Sequence, residues 1–269
     1  MTDADAYIQN LLVINPLVEP LISKAIKALR LPLASQGLDA GCGIGLQSLQ
    51  MAEAVGPVGH ITGLDISPEF LAYARDIVEQ AGLSRSISFQ GGDVRQLPFD
   101  NHSFDWAWSA DCVGYAPLEP LPLVKELVRV VKPGGMVAIL AWSSQMLLPG
   151  YPILEAHLNA TSAGIAPFFE GKPPEMHFLR ALGWFREAGL GKPVSFTFSG
   201  QAYAPLTDNL RRALIALFEM RWPGVEAELK PEDRTEYQRL CLSKSPDFIL
   251  NHPDYYAFFT YSMFCGMVV

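Results

Sequence analysis

Leu38-Asp39-Ala40-Gly41-Cys42-Gly43-Ile44-Gly45 is a short apolar run that breaks into three glycines at alternate positions. The next residues, QSLQMAEAV (47–55), have helical periodicity. Glycines between a strand and a helix permit a tight turn and let a ligand approach the backbone closely. The start of the helix offers free N–H groups to a negative or polar ligand group. In open α/β sheets, ligands bind at the carboxyl ends of the strands. The segment is therefore a candidate nucleotide site, the plain alternative being a ligand-free glycine turn. A dinucleotide fingerprint needs G-x-G-x-x-G. Here the glycines stand at 41, 43 and 45 and residue 46 is Leu, which argues against a nicotinamide or flavin site.

Working outward, GHITGLDIS (59–67) reads as a second strand. Ser67-Pro68-Glu69 supplies a cap, a proline at the first helical position and an acidic first turn, so 68–81 is expected to be a helix. SISFQGGD (86–93) and FDWAWSAD (104–111) read as the third and fourth strands. EPLPLVKELVRVVK (119–132) is expected to be a helix closed by Pro133-Gly134-Gly135, before a fifth strand, MVAILAW (136–142). Strands with so little charge on either face suit a parallel sheet covered on both sides. Strand–helix alternation from 38 to 142 predicts a doubly wound α/β domain.

Outside this span, residues 16–30 carry apolar positions at helical spacing (Leu17, Leu21, Ile22, Ala25, Ile26, Leu29), stopped by Pro32. Residues 144–177 are rich in Pro and Gly, with one helix expected near 152–163. A helix over 178–189, a strand over 194–203, mostly helix over 206–250 and a closing strand over 255–269 complete the pattern. The expected organisation is an N-terminal helical segment (1–35), a nucleotide-binding core (36–143), a variable substrate region with a returning helix and strand (144–203), a helical insertion or lid (204–252) and a closing strand (253–269).

Two further carboxylates stand where the strands end. Asp65 closes the second strand, twenty residues after Gly45, where an acidic side chain can accept hydrogen bonds from ribose hydroxyls. Asp93 follows Gly91-Gly92 at the third strand end, where it can accept from an exocyclic amino group such as that of adenine. The plain readings are a solvated or capping Asp65 and a turn Asp93.

GLDAGCGIGLQS resembles the first motif of the class I S-adenosylmethionine-dependent methyltransferases, commonly D-x-G-x-G-x-G, and GLDISPEFLAYAR resembles their second. FQGGDVRQLPFDNHSFDWAWSADCVGY and LVRVVKPGGMVAILAW look like their third-strand Asp, fourth-strand edge and fifth strand. The likeness runs from about 36 to 142 and is to the ubiquinone/menaquinone-biosynthesis-like branch. It implies a Rossmann-like, mostly parallel seven-stranded sheet with an antiparallel last strand, and S-adenosylmethionine as cofactor, with S-adenosylhomocysteine as product. Carried over by position, Gly41, Gly43 and Gly45 would shape the methionine end of the pocket, and Asp39 would fix the loop and the cofactor's amino group. Asp65 would bind the ribose with Ile66 beside the adenine. Asp93 would take the adenine amino group with the Val94 amide nearby, and Ser109 would offer its backbone.

Methyl transfer has no obligatory catalytic side chain, because the activated methyl belongs to the cofactor. Asp111, Cys112 and Tyr115, after the fourth strand, are the candidates nearest the methyl, and Asp111 or Tyr115 could orient an acceptor or act as a base; lining the cofactor is the plainer role. His157 and His177 could each be a base, solvated or packed being the plainer reading, and Cys42 is read as packing. Acceptor choice would reside in 144–177 and 204–252, whose Tyr151, Phe168, Phe169, Tyr203, Phe218 and Trp222 favour an apolar or aromatic small molecule if they line a pocket.

The net charge of −8 and the lack of a Lys/Arg run speak against nucleic acid as substrate. Four cysteines without C-x-x-C spacing predict reduced thiols and no metal site. The start MTDADAYIQNLL lacks a basic leader, and no apolar run reaches the ~20 residues that span a bilayer, so a cytoplasmic protein without membrane insertion is expected. Two other functions fit the same fold: a nicotinamide-dependent oxidoreductase, and a non-catalytic S-adenosylmethionine-binding protein.

Overall fold

The computed structural model describes residues 3–113, 119–165 and 173–269. Among them the chain runs α1 (Asp3–Leu29), β1 (Gln36–Ala40), α2 (Leu46–Val55), β2 (His60–Asp65), α3 (Pro68–Gln80), β3 (Ile87–Gly91), β4 (Phe104–Ala110), α4 (Pro120–Val130) and β5 (Val131–Met146). It continues through α5 (Pro152–Asn159), α6 (Ser162–Ile165), α7 (Ala181–Glu187), β6 (Gly191–Tyr203), α8 (Asp208–Arg221), α9 (Pro231–Cys241) and β7 (Tyr256–Met267).

The seven strands form one sheet in the order β3-β2-β1-β4-β5-β7-β6. Pairs β3–β2, β2–β1, β1–β4 and β4–β5 are parallel. Strand β7 runs against β5: the Gly134 N–H donates to Val268 O at one end, and the Ser143 hydroxyl meets Thr260 at the other. The Rossmann-like α/β sheet with an antiparallel last strand is thus as the resemblance implies. The order reverses between β1 and β4, the switch point at which open sheets bind ligands.

Two compact units divide the chain. One holds residues 22–142, 175–198 and 261–269; the other holds 1–21, 143–174 and 199–260. In the first, the apolar faces of β1, β4 and β5 join α4, α7 and the end of β7 in one core that includes Leu38, Leu64, Leu127, Ile139, Phe185 and Phe264. Gly37 pairs with Trp106 between β1 and β4, and a Cβ on Gly37 would overlap the indole. The indole N–H of Trp106 donates to Ser35 Oγ at 2.9 Å, so the ring is buried with its polar edge satisfied. In the second unit, Trp222 donates to Asn159 and Tyr255 to the Leu147 carbonyl, while Glu155 accepts the backbone N–H groups of Leu147 and Leu148.

Several boundaries differ from the sequence expectation. Helix α1 begins at Asp3, with Pro16 and Pro20 inside it. Each proline removes one backbone hydrogen bond, and the buried Ile8, Ile14, Leu17, Leu21 and Ile22 keep the helical period running past both. Helix α4 stops at Val130, and Pro133-Gly134-Gly135 lies within β5 rather than between helix and strand. Phe104 pairs with Val131 but Trp106 with Met136, so the extra residues are taken up as an irregularity in the ladder. The expected single helices over 152–163 and 178–189 are each broken: α5 and α6 divide the first, and a 3-10 turn at Phe178–Arg180 precedes α7.

Candidate functional site

The glycine turn lies between β1 and α2, as its sequence predicts. The N–H groups of Gly41 and Cys42 both donate to Leu64 O, at 2.8 and 2.9 Å, which ties the turn to the end of β2. All three glycines have left-handed φ, at 78, 53 and 78°. A Cβ on Gly41 would come within 2.5 Å of the Cys112 sulfur, and one on Gly45 within 2.9 Å of the Phe89 ring. A Cβ on Gly43 would meet nothing within 4 Å. Gly41 and Gly45 are therefore required by protein packing, whereas Gly43 opens onto free space.

Asp65 closes β2 beside that opening. Its Oδ2 accepts the Gly43 N–H at 2.8 Å and its Oδ1 accepts the Ser67 N–H at 2.9 Å. Each carboxylate oxygen keeps a further lone pair, so the carboxylate can accept from two more donors. Ile66 next to it is 71% exposed, an apolar side chain left uncovered at the strand end.

Asp39 lies in β1, buried, and accepts the Ser48 hydroxyl at 2.6 Å. Burial is the main cause that raises its pKa to about 7; the Ser48 bond opposes this and the Asp65 charge adds to it. Asp93 stands two residues beyond β3 rather than at its last residue. Its Oδ1 accepts the Arg95 N–H at 2.8 Å and its Oδ2 the Arg95 Nε at 2.7 Å, and the guanidinium holds its carboxyl below the usual range. Val94 packs partly against the core. Ser109 is fully buried in β4, with its hydroxyl accepting the Val113 N–H at 3.4 Å.

Asp111 follows β4 with a left-handed φ of 48°, which a non-glycine residue adopts only when its surroundings enforce it. Its Oδ1 accepts the Trp142 N–H at 3.0 Å and its Oδ2 the Tyr261 hydroxyl at 3.0 Å. Burial pushes the Cys42 thiol up and the Cys112 thiol up to about 11, so neither is a ready nucleophile. Tyr115, Phe168 and Phe169 lie outside the described residues. His157 pairs with Asp233 at 2.8 Å and is partly exposed, and His177 accepts the Leu179 N–H; each has a local structural partner.

Asp39, Gly41, Gly43, Gly45, Asp65, Ile66, Asp93, Val94, Ser109 and Asp111 all fall in the unit that carries the parallel strands. Sequence reasoning missed Ser48, Arg95 and Tyr261. Ser48, in the first turn of α2, and Arg95, two residues from Asp93, were within reach of local reading. Tyr261 is 150 residues from Asp111, and no local pattern links them. A cavity of about 680 Å³ also exists in the other unit, lined by Tyr151, Arg239, Asp247, Phe248 and Tyr255 among others, and no residue of the glycine turn lines it.

This set of residues fits a nucleoside with a positively charged amino-acid tail. Gly43 leaves room at the backbone, Asp65 presents acceptors for a diol, Ile66 offers an apolar flank, and Asp39 is a carboxyl whose ionised form a nearby cation would favour.

Residues 38–135 match the family model described as a methyltransferase domain. A demethylmenaquinone methyltransferase of Listeria monocytogenes serotype 4b is 30% identical over 193 residues, covering 67% of this chain and 80% of that protein. Among solved structures, a methyltransferase described as SAM-dependent from Aquifex aeolicus has a TM-score of 0.52 at 22% identity, over 72% of this chain and 93% of its own. The YcgJ protein of Bacillus subtilis has a TM-score of 0.57 at 16% identity, over 93% of this chain and 98% of its own. These two structures are alike in fold.

Proposed function

We propose that this chain, which belongs to the class I S-adenosylmethionine-dependent methyltransferases in their quinone-biosynthesis-like branch, methylates an apolar, aromatic small molecule. The observation that carries the cofactor site is the Asp65 carboxylate, fixed by the Gly43 and Ser67 N–H groups beside the one turn glycine that opens onto free space. When bound, the cofactor supplies a methyl carbon already activated by positive sulfur. Gly41, Gly43 and Gly45 shape the backbone against its methionine end, and Asp39 faces its amino group. Asp65 binds the ribose hydroxyls, Ile66 covers the adenine, Asp93 and the Val94 amide hold its polar edge, and Ser109 contributes backbone. The protein's task is alignment and exclusion of water.

The acceptor class rests on the relative from Listeria, named for demethylmenaquinone. The segments 144–177 and 204–252, beyond the matched domain, choose the acceptor in this reading. An acidic chain without a basic run favours a small molecule over nucleic acid. No helix among the described residues is long and apolar enough to cross a membrane. The reaction is assigned to the cytoplasm.

The test is transfer of isotope-labelled methyl from S-adenosylmethionine to reduced naphthoquinols, simple phenols and RNA. Labelling of the quinols or phenols alone is expected. Labelling of RNA, or of no acceptor by protein that binds the cofactor, would sink the acceptor assignment.

A further inference from the structure

Asp111 combines features that packing alone does not ask for. It stands immediately past the carboxyl end of β4, at the ligand-binding edge of the parallel sheet. Its φ of 48° is held by a set of bonds around it: its own N–H donates to Leu140 O at 2.8 Å, and its two carboxylate oxygens take Trp142 N–H and Tyr261 O–H. The next residue, Cys112, packs its sulfur against Gly41 of the glycine turn. Asp111 is thereby fixed beside the turn that holds the methionine end of the cofactor. As a residue it remains exposed at that strand end. Enclosure by protein nevertheless raises its pKa to about 6, against the two donors that lower it.

We propose that Asp111 is the base that takes the acceptor's proton and that Tyr261 is the positioning residue that aims its carboxylate. The inference deepens the methyltransferase reading and rests on it. The acceptor forms its new bond to carbon while the carbon–sulfur bond leaves its electron pair on sulfur. The proton the acceptor sheds goes to a carboxylate oxygen of Asp111, and from there to water. Each oxygen accepts one hydrogen bond from the protein and keeps a lone pair for that proton. A carboxylate that titrates near 6 is ionised at neutral pH and more basic than an ordinary aspartate, as a general base should be. Among the described residues, the Trp142 N–H and the Tyr261 hydroxyl on β7 act on its carboxylate, and it acts in turn on the adjoining Cys112 thiol, as Asp39 and Asp65 do.

The experiment uses the full chain and the variants Asp111→Asn and Tyr261→Phe. In cofactor-free protein labelled with carboxyl-13C aspartate, the resonance absent from the Asn variant is expected to titrate near pH 6. Tyr261→Phe is expected to move it upward, because a donor to the charged form is lost. The acid limb of kcat/KM should follow the same value and shift upward in Tyr261→Phe. Asp111→Asn should lower kcat by about 100-fold or more while calorimetry shows cofactor affinity nearly unchanged. An Asp111 resonance in the ordinary aspartate range overturns the proposal, as does undiminished turnover in Asp111→Asn; both leave the methyltransferase reading standing. Failure of the wild-type chain to bind S-adenosylmethionine overturns the two together.

Discussion

Asp39 is almost wholly buried, yet the only hydrogen bond to its carboxyl among those described is from Ser48. A pKa near 7 in the folded chain against 3.8 unfolded means that the folded state binds the extra proton between these values. Its contribution to stability is then complete below about pH 4 and is lost as pH rises through 7. The Tm of cofactor-free protein should fall from pH 5 to pH 8. Asp39→Asn should flatten that slope by the equivalent of roughly 1–3 kcal/mol. In the proposed site, the cofactor's ammonium group would stand near Asp39 and should favour its ionised form. Calorimetry at pH 6.5 in buffers of different ionisation enthalpy should therefore show proton release, and the Asn variant should show much less. At this scale the acidic positions were legible in the sequence, because Asp39, Asp65 and Asp93 stand in or near the ends of recognisable strands. Their partners were not: a hydrogen bond from Tyr261 to Asp111 depends on two strands meeting after 150 residues of chain.

The elements separate glycines that packing requires from Gly43, where a Cβ would meet nothing within 4 Å. Gly37 lies against the Trp106 indole, where a methyl group has no room. Gly37→Ala should cost about 2–3 kcal/mol in denaturant unfolding, through overpacking between β1 and β4. Gly43→Ala should cost only about 1 kcal/mol, the strain of a left-handed residue, because its Cβ projects into open space. Yet it should weaken cofactor binding at least about tenfold, a factor worth about 1.4 kcal/mol. The opposite ranking of the two variants would contradict the roles assigned here. The parallel strands were legible because strands covered on both faces carry little charge, and the buried runs of β1, β4 and β5 say so directly. The start of α1 and the passage from α4 to β5 were not. Prolines and glycines punctuate local sequence, but here buried apolar spacing carried α1 through two prolines, and pairing with β4 drew Pro133-Gly134-Gly135 into a strand.

Across the molecule, the residues assigned to the cofactor fall in one compact unit, and most of 144–177 and 204–252 in the other. Sequence alone reached the first because its motifs are ordered along about a hundred residues. Acceptor choice was less legible, since Phe218 and Trp222 are buried against each other, with the Trp222 indole on Asn159, inside the second unit. On the proposed function, the glycine turn and Asp65 form an S-adenosylmethionine site. Calorimetric titration of the full chain and Asp65→Ala with S-adenosylmethionine, S-adenosylhomocysteine and NAD tests it most directly. Both sulfur nucleosides are expected to bind and NAD is not, and Asp65→Ala should weaken both by at least about tenfold while the fold is kept. Binding of NAD, or equal affinity in wild type and Asp65→Ala, would contradict it.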